Sequence, residues 1–345
     1  MILHVSKTAL IIFQVLICVH VNAQRADLDA YFNRLSSTGK AMGSVCVYQK
    51  GEPLYQKAFG YGSIKPAIQA DSLTRYRIGS VSKIFTSVVI LQMAEEKKLR
   101  LSDKLSRFFP DWSLARELTI EQVMRHQSGI HNFANDRSGT YQEADPQTRE
   151  EVRAILSKSR PDFKPGTRTA YNNANYIVLS LVAEALDSTD FSAIIKKRIT
   201  DRVQLKRTYL GDSINPEKGE AFSYYYKKGW KLNSQADCQG LLGAGGLVST
   251  PNELCRFMEA LFNLRFFSKE SLDLMLSLQE NMGLGIFSYP FGTATCYGHA
   301  GNIDAFESMT GFFQGKDLSF AVCLNGSRES FNDILIELLK HFAGP

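Results

Sequence analysis

Ile78-Gly79-Ser80-Val81-Ser82-Lys83-Ile84-Phe85 is the stretch on which the reading of this chain turns. From Ile78 to Ala94 the only charged residue is Lys83. Val81, Ile84, Phe85, Val88 and Leu91 recur at helical spacing, which predicts a helix buried on most sides. Gly79 and Ser80 suit its start, where a serine hydroxyl can satisfy orphan N–H groups. Ser80 and Lys83 stand one turn apart on the same face. A hydroxyl beside a buried amine is an activated nucleophile in outline, because burial lowers the pKa of a lysine. The bland reading is that Lys83 snorkels to solvent and Ser80 merely caps the helix. Ser-x-x-Lys is a weak pattern by itself and recurs at Ser37-Thr38-Gly39-Lys40.

The 345 residues are 44% hydrophobic and 22% charged, an ordinary globular composition with room for one large domain or two intertwined lobes. Forty basic against 35 acidic residues leave a net charge of +5, with no run of like charges to suggest a nucleic-acid partner. There is no P-loop and no dinucleotide fingerprint. Lys7 precedes an apolar run from Ala9 to Val19, followed by Val21-Asn22-Ala23. This predicts a signal peptide over residues 1–23, cleaved before Gln24, and an exported protein without a stable membrane span. Removing it leaves Cys46, Cys238, Cys255, Cys296 and Cys323. Five is an odd number, with neither a disulfide framework nor a zinc spacing among them. No metal or cofactor is implied.

The chain in order predicts a surface helix over Asp27–Leu35, a hairpin of Gly43–Gln49 and Pro53–Phe59 turning at Lys50-Gly51, and the Ser80 helix ending near Lys97-Lys98. Residues from about Leu101 to Leu210 read mostly as helices and loops. Among them are a capped helix from Thr119, a long polar loop from Ile130 to Arg149 and a helix over Tyr176–Leu186. Ser223 to Leu232 reads as a hairpin, and the Gly-rich run Gly240–Gly246 as a flexible turn. Thr250-Pro251-Asn252-Glu253 is a strong helix start. Ala305–Phe313 and Leu318–Asn325 read as a second hairpin, before an amphipathic helix over Phe331–Phe342.

Strands at both ends with helices between predict an α/β (α+β) fold. One antiparallel sheet is built from both termini and covered by helices, with an inserted mainly helical lobe. The sheet lobe is expected at about 24–75 and 240–345, and the helical lobe at about 80–235.

Three short motifs stand in order: Ser80-Val81-Ser82-Lys83, Tyr171-Asn172-Asn173 and His299-Ala300-Gly301. With His126-Gln127-Ser128-Gly129-Ile130, Pro165-Gly166-Thr167 and Gly245-Gly246-Leu247-Val248-Ser249-Thr250, they resemble the serine β-lactamase and penicillin-binding protein superfamily. The resemblance is to its class C β-lactamase, D-alanyl-D-alanine carboxypeptidase and esterase branch, and it covers nearly the whole chain after residue 23. It implies that Ser80 is acylated, that Lys83 shares its proton and that Tyr171 relays it to the leaving group. Asn173, His299, Ala300 and Gly301 would bind substrate, and the N–H groups of Ser80 and Asn302 would form the oxyanion hole. A tyrosine needs a nearby cation to ionise near neutral pH, and Lys83 or a protonated His299 could supply it. Many relatives carry Ser or Thr where Ala300 stands, so carboxylate recognition is weakened and ester or amide hydrolysis gains weight. The substrate is then a small molecule or a peptide, peptidoglycan-derived peptides included. A carboxylesterase of the same fold and a non-catalytic binding or sensor module are the alternatives. An α/β-hydrolase is excluded, because no serine sits in Gly-x-Ser-x-Gly.

Overall fold

In the computed structural model, which describes residues 25–135 and 148–343, six strands form one antiparallel sheet. They are β1 (Ala41–Gln49), β2 (Glu52–Phe59), β3 (Phe287–Phe291), β4 (Ala294–Ile303), β5 (Phe306–Phe313) and β6 (Leu318–Ser327). Their order across the sheet is β3-β4-β5-β6-β1-β2, so β1 pairs with β6 and the two ends of the chain close one sheet. The β1–β2 turn is tight because Lys50 and Gly51 both take positive φ, 53° and 85°, as such hairpins require. β3 was not foreseen. It carries Pro290, which an edge strand tolerates because no ladder bond is lost there.

Both faces of the sheet are covered, and the alternation along β1 shows why. Val45 and Val47 point into a core shared with Leu28, Phe32 and Leu35 of helix α1 (residues 25–37) and with Ile334 and Leu338 of the terminal helix Phe331–Leu339. Cys46 and Tyr48 point the other way, into the larger core beneath the helical region. Its centre is helix α2 (Ser82–Glu95), in which every residue from Ser82 to Met93 is buried. Against it lie helix α3 (Asn173–Asp187) and helix α4 (Pro251–Phe262), the latter through Phe85 and Phe257, whose rings stack at 3.7 Å. The predicted caps are present. Thr119 and Gln122 form a capping box, and the Thr250 side chain accepts from the Glu253 N–H. The long loop expected from Ile130 to Arg149 lies partly outside the described residues, and a capped helix, Arg149–Lys158, begins where it ends.

The run Gly240–Gly246 corrects the expectation of a flexible turn. It is buried, and its glycines are there for close approach: a Cβ on Gly243 would collide with the Thr86 hydroxyl, and one on Gly246 with the Cys238 carbonyl. All five described cysteines are buried free thiols. The second Ser-x-x-Lys, at Ser37 to Lys40, is a surface turn after α1 in which Lys40 pairs with Glu329.

Candidate active site

Backbone geometry brings the three motifs together. Ser80 sits in a single 3₁₀ turn, Gly79–Val81, that leads into α2. The turn is clamped on two sides. The Ile78 N–H donates to the Leu247 carbonyl at 3.0 Å, and the Ser308 hydroxyl of β5 donates to the Ile78 carbonyl at 2.8 Å. Gly79 holds φ +50°, and a Cβ there would stand 2.9 Å from the backbone N of Asn302. A Cβ on Gly301 would collide with the Ile78 carbonyl. These two glycines let the end of β4 lie directly against the serine turn.

Ser80 does not cap the helix, as had been expected; no side-chain bond caps this turn or the helix after it. Ser82 ties the turn instead, donating to the Gly79 carbonyl at 2.7 Å and accepting from the Leu247 N–H at 3.1 Å. The Ser80 hydroxyl is thereby left to Lys83, whose Nζ lies 2.9 Å from it. Lys83 is fully buried and donates to Asn173 Oδ1 at 2.7 Å and to the Ala244 carbonyl at 2.6 Å. Burial alone drives its pKa well below the ordinary lysine value. The partner set suits the neutral amine. Asn173 Oδ1 and the Ala244 carbonyl are obligate acceptors, so once the amine gives up one proton its lone pair is left for Ser80.

The Tyr171 phenol lies close enough to the same hydroxyl for Ser80 to pull its pKa down. The residue is 40% exposed, with Lys83 Nζ 4.8 Å from the ring centroid. Desolvation raises the pKa of that phenol, partly offset by the Ser80 bond. His299 is buried and carries no positive charge at neutral pH. Burial, and after it the Lys83 charge, pushes it down to about 3. A cation that lowers Tyr171 is therefore not what His299 provides, and the same desolvation that lowers Lys83 and His299 raises the tyrosine.

His299 Nε2 is buried without a hydrogen-bond partner among the described residues. Its ring meets Phe287 edge-on at 4.9 Å and Tyr171 at 6.0 Å. Along β4 the side chains alternate. Ala300 faces away from Ser80, into an apolar cavity of about 500 Å³ that also contains Met309, Phe313 and Phe331. What Ala300 offers the cleft is backbone, so the reading of its methyl as a lost carboxylate contact does not follow from its position. Two residues on, the backbone nitrogen of Asn302 lies against the serine turn, 2.9 Å from where a Cβ on Gly79 would stand.

Sequence reasoning missed the Ala244 carbonyl as a partner of Lys83, since a backbone acceptor leaves no residue-type signal. It also missed a buried ion pair. Arg77 meets Asp304 at 3.0 Å and donates to the carbonyls of Ala236 and Asp212, which holds the segment around 212–237 beside the end of β4. Among the described residues, no cluster of three or more His, Cys, Asp or Glu could hold a metal. No described helix is long and apolar enough to cross a membrane.

An antiparallel sheet flanked by helices, with a buried lysine beside a serine at a helix start, defines the class of the serine β-lactamase and penicillin-binding folds. The chain belongs to the Beta-lactamase family, whose model matches residues 28–342. Teichoic acid D-alanine hydrolase of Staphylococcus aureus is 26% identical over 241 residues, 68% of this chain and 57% of that protein, so the chain spans little more than half of that relative's length. D-amino acid amidase from Ochrobactrum anthropi superposes with a TM-score of 0.80 at 19% identity, covering 94% of this chain and 99% of that one. An octameric penicillin-binding protein homologue from Pyrococcus abyssi gives 0.80 at 23%, covering 92% and 77%.

Proposed function

We propose that the protein is an exported serine hydrolase that works through an acyl-enzyme on Ser80. The observation that carries this reading is the hydrogen-bonding of Lys83. Two of its partners, Asn173 Oδ1 and the Ala244 carbonyl, can only accept, so an amine whose pKa burial has lowered would, on losing a proton, turn its lone pair to the third partner, the Ser80 hydroxyl. Ser80 Oγ attacks the substrate carbonyl carbon as its proton passes to Lys83 Nζ. The N–H groups of Ser80 and Asn302 receive the developing oxyanion. Tyr171, held as a phenol, passes a proton from Lys83 to the leaving nitrogen or oxygen, and the carbon–leaving-group bond breaks. Water then attacks the carbonyl carbon of the ester as one of its protons passes to Lys83; the bond from that carbon to Ser80 Oγ breaks, the carboxylic acid leaves and the proton returns from Lys83 to Ser80 Oγ. Asn173 orients Lys83, and the open Nε2 of His299 offers one polar contact to substrate.

The substrate we favour is an ester or amide of a D-amino acid, or of a short D-aminoacyl group from the cell envelope, that has no carboxylate to be held. Two facts support it. His299 stays neutral and so offers no charge to a carboxylate, and similar proteins are a D-alanine hydrolase and a D-amino acid amidase. Exposure to D-alanine methyl ester, D-alanine amide and penicillin, read by intact mass and peptide mapping, tests this. The D-alanyl compounds should turn over fastest, and any trapped adduct should map to Ser80. An adduct on another serine overturns the mechanism. Turnover of penicillin above that of the esters overturns the substrate class.

A further inference from the structure

His126 belongs to a motif that the mechanism above does not use, yet it is built into the surroundings of Tyr171. It is 2% exposed and holds φ +58°, a left-handed backbone that His and Asn tolerate better than most residues. Its carbonyl accepts from the Ala170 N–H at 2.9 Å, and its Nδ1 accepts from the Asn172 N–H at 3.1 Å. The two residues that flank Tyr171 in the chain are therefore tied to one histidine. Its ring lies against the Tyr171 ring, centroids 4.7 Å apart and planes at 35°.

A further chain of hydrogen bonds decides the tautomer. The Ile130 N–H donates to Ser128 Oγ at 3.0 Å, which turns the Ser128 hydroxyl proton outward to Asn175 Oδ1 at 2.6 Å. That orients the Asn175 amide so that its NH₂ faces His126 Nδ1 at 3.2 Å. With Nδ1 accepting, the ring proton sits on Nε2, which has no hydrogen-bond partner among the described residues.

We propose that His126 is a positioning residue for Tyr171: its ring and backbone, locked by Asn172, Asn175 and Ser128, fix the tyrosine ring where its hydroxyl meets Ser80. This rests on the reading of Tyr171 as the proton carrier. A displacement of about 1 Å in such a group is worth up to about 100-fold in rate, so the loss belongs in kcat with KM little changed.

The test is a double-mutant cycle on the full chain with a D-alanyl ester. His126→Asn keeps the left-handed backbone and a short-range acceptor but removes the ring. It should lower kcat about 10-fold to 100-fold with Tyr171 in place, and less than about 2-fold in the Tyr171→Phe background. Ser128→Ala, which leaves His126 intact and frees the Asn175 amide, should repeat the pattern more weakly and carries the cycle if His126→Asn does not fold. Long-range ¹H–¹⁵N spectra should show His126 protonated at Nε2 alone. Equal losses in both backgrounds, or no loss with Tyr171 present, overturn the proposal while leaving the Tyr171 mechanism standing. Unimpaired turnover by Tyr171→Phe alone removes that mechanism and this proposal with it.

Discussion

The side-chain nitrogen of Lys83 and the backbone oxygen of Ala244 lie 2.6 Å apart, across the junction of α2 and a glycine run that the sequence alone marks as a mere turn. The contact explains both partners. Lys83 can be fully buried because it finds Ala244 and Asn173, and the run around Ala244 is glycine-rich because its backbone must come close to α2 and α3. Gly243 donates its N–H to the Ser180 hydroxyl of α3 and offers its carbonyl to the Thr86 hydroxyl of α2.

Gly243→Ala is therefore expected to destabilise the protein and to slow turnover together. The new methyl collides with the Thr86 hydroxyl, and overpacking of this kind costs about 1–3 kcal/mol. Denaturant unfolding measures the first effect and kcat the second. A variant of wild-type stability would show that the run adjusts freely.

Lys83→Met and Tyr171→Phe should each lower kcat by about 100-fold or more, the range for losing a general acid or base. Circular dichroism should show the fold retained. Near-normal turnover in either variant excludes that residue from proton transfer.

Stability should fall as the solution is acidified from about pH 6.5 to about pH 3, and His299 should be one cause. Its folded pKa is depressed to about 3, whereas an unfolded histidine titrates near 6.5. Between these values the unfolded chain binds a proton that the buried ring does not. Each pH unit therefore removes up to about 1.4 kcal/mol, and below about pH 3 the effect saturates. Urea titrations across this window should give a shallower slope for His299→Gln than for wild type. His126, also held neutral by burial, keeps a slope of its own in that variant. Identical slopes would mean that His299 is hydrated and titrates normally.

N-terminal sequencing of protein recovered from the cell envelope or medium of an expressing bacterium should begin at Gln24, from the charged start, the apolar run and the small residues before it. A retained Met1, or a lipid on Cys18, contradicts cleavage at Ala23.

Local sequence determined a good deal of this protein. Helix α2 was readable from apolar residues on every side of one lysine, and the hairpin at Lys50-Gly51 from a turn flanked by alternating strands. The caps at Thr119 and Thr250 were readable because their bonds span only three residues. Ser80, Lys83, Tyr171 and His299 were legible as motif members, since short spacings put the first two on one helix face. Tertiary structure alone decided the rest. Which charge each group carries depends on burial, which no local spacing reports: Lys83 is depressed, His299 is neutral, and Tyr171 stays a phenol. The partners of the amine come from Asn173 and Ala244, distant in sequence, one of them a backbone atom common to every residue. The direction of Ala300 follows from the register of β4 against β5. The link from His126 to Tyr171 exists because the fold brings the start of α3 and the residues before it, Ala170 and Asn172 among them, against the turn that holds His126.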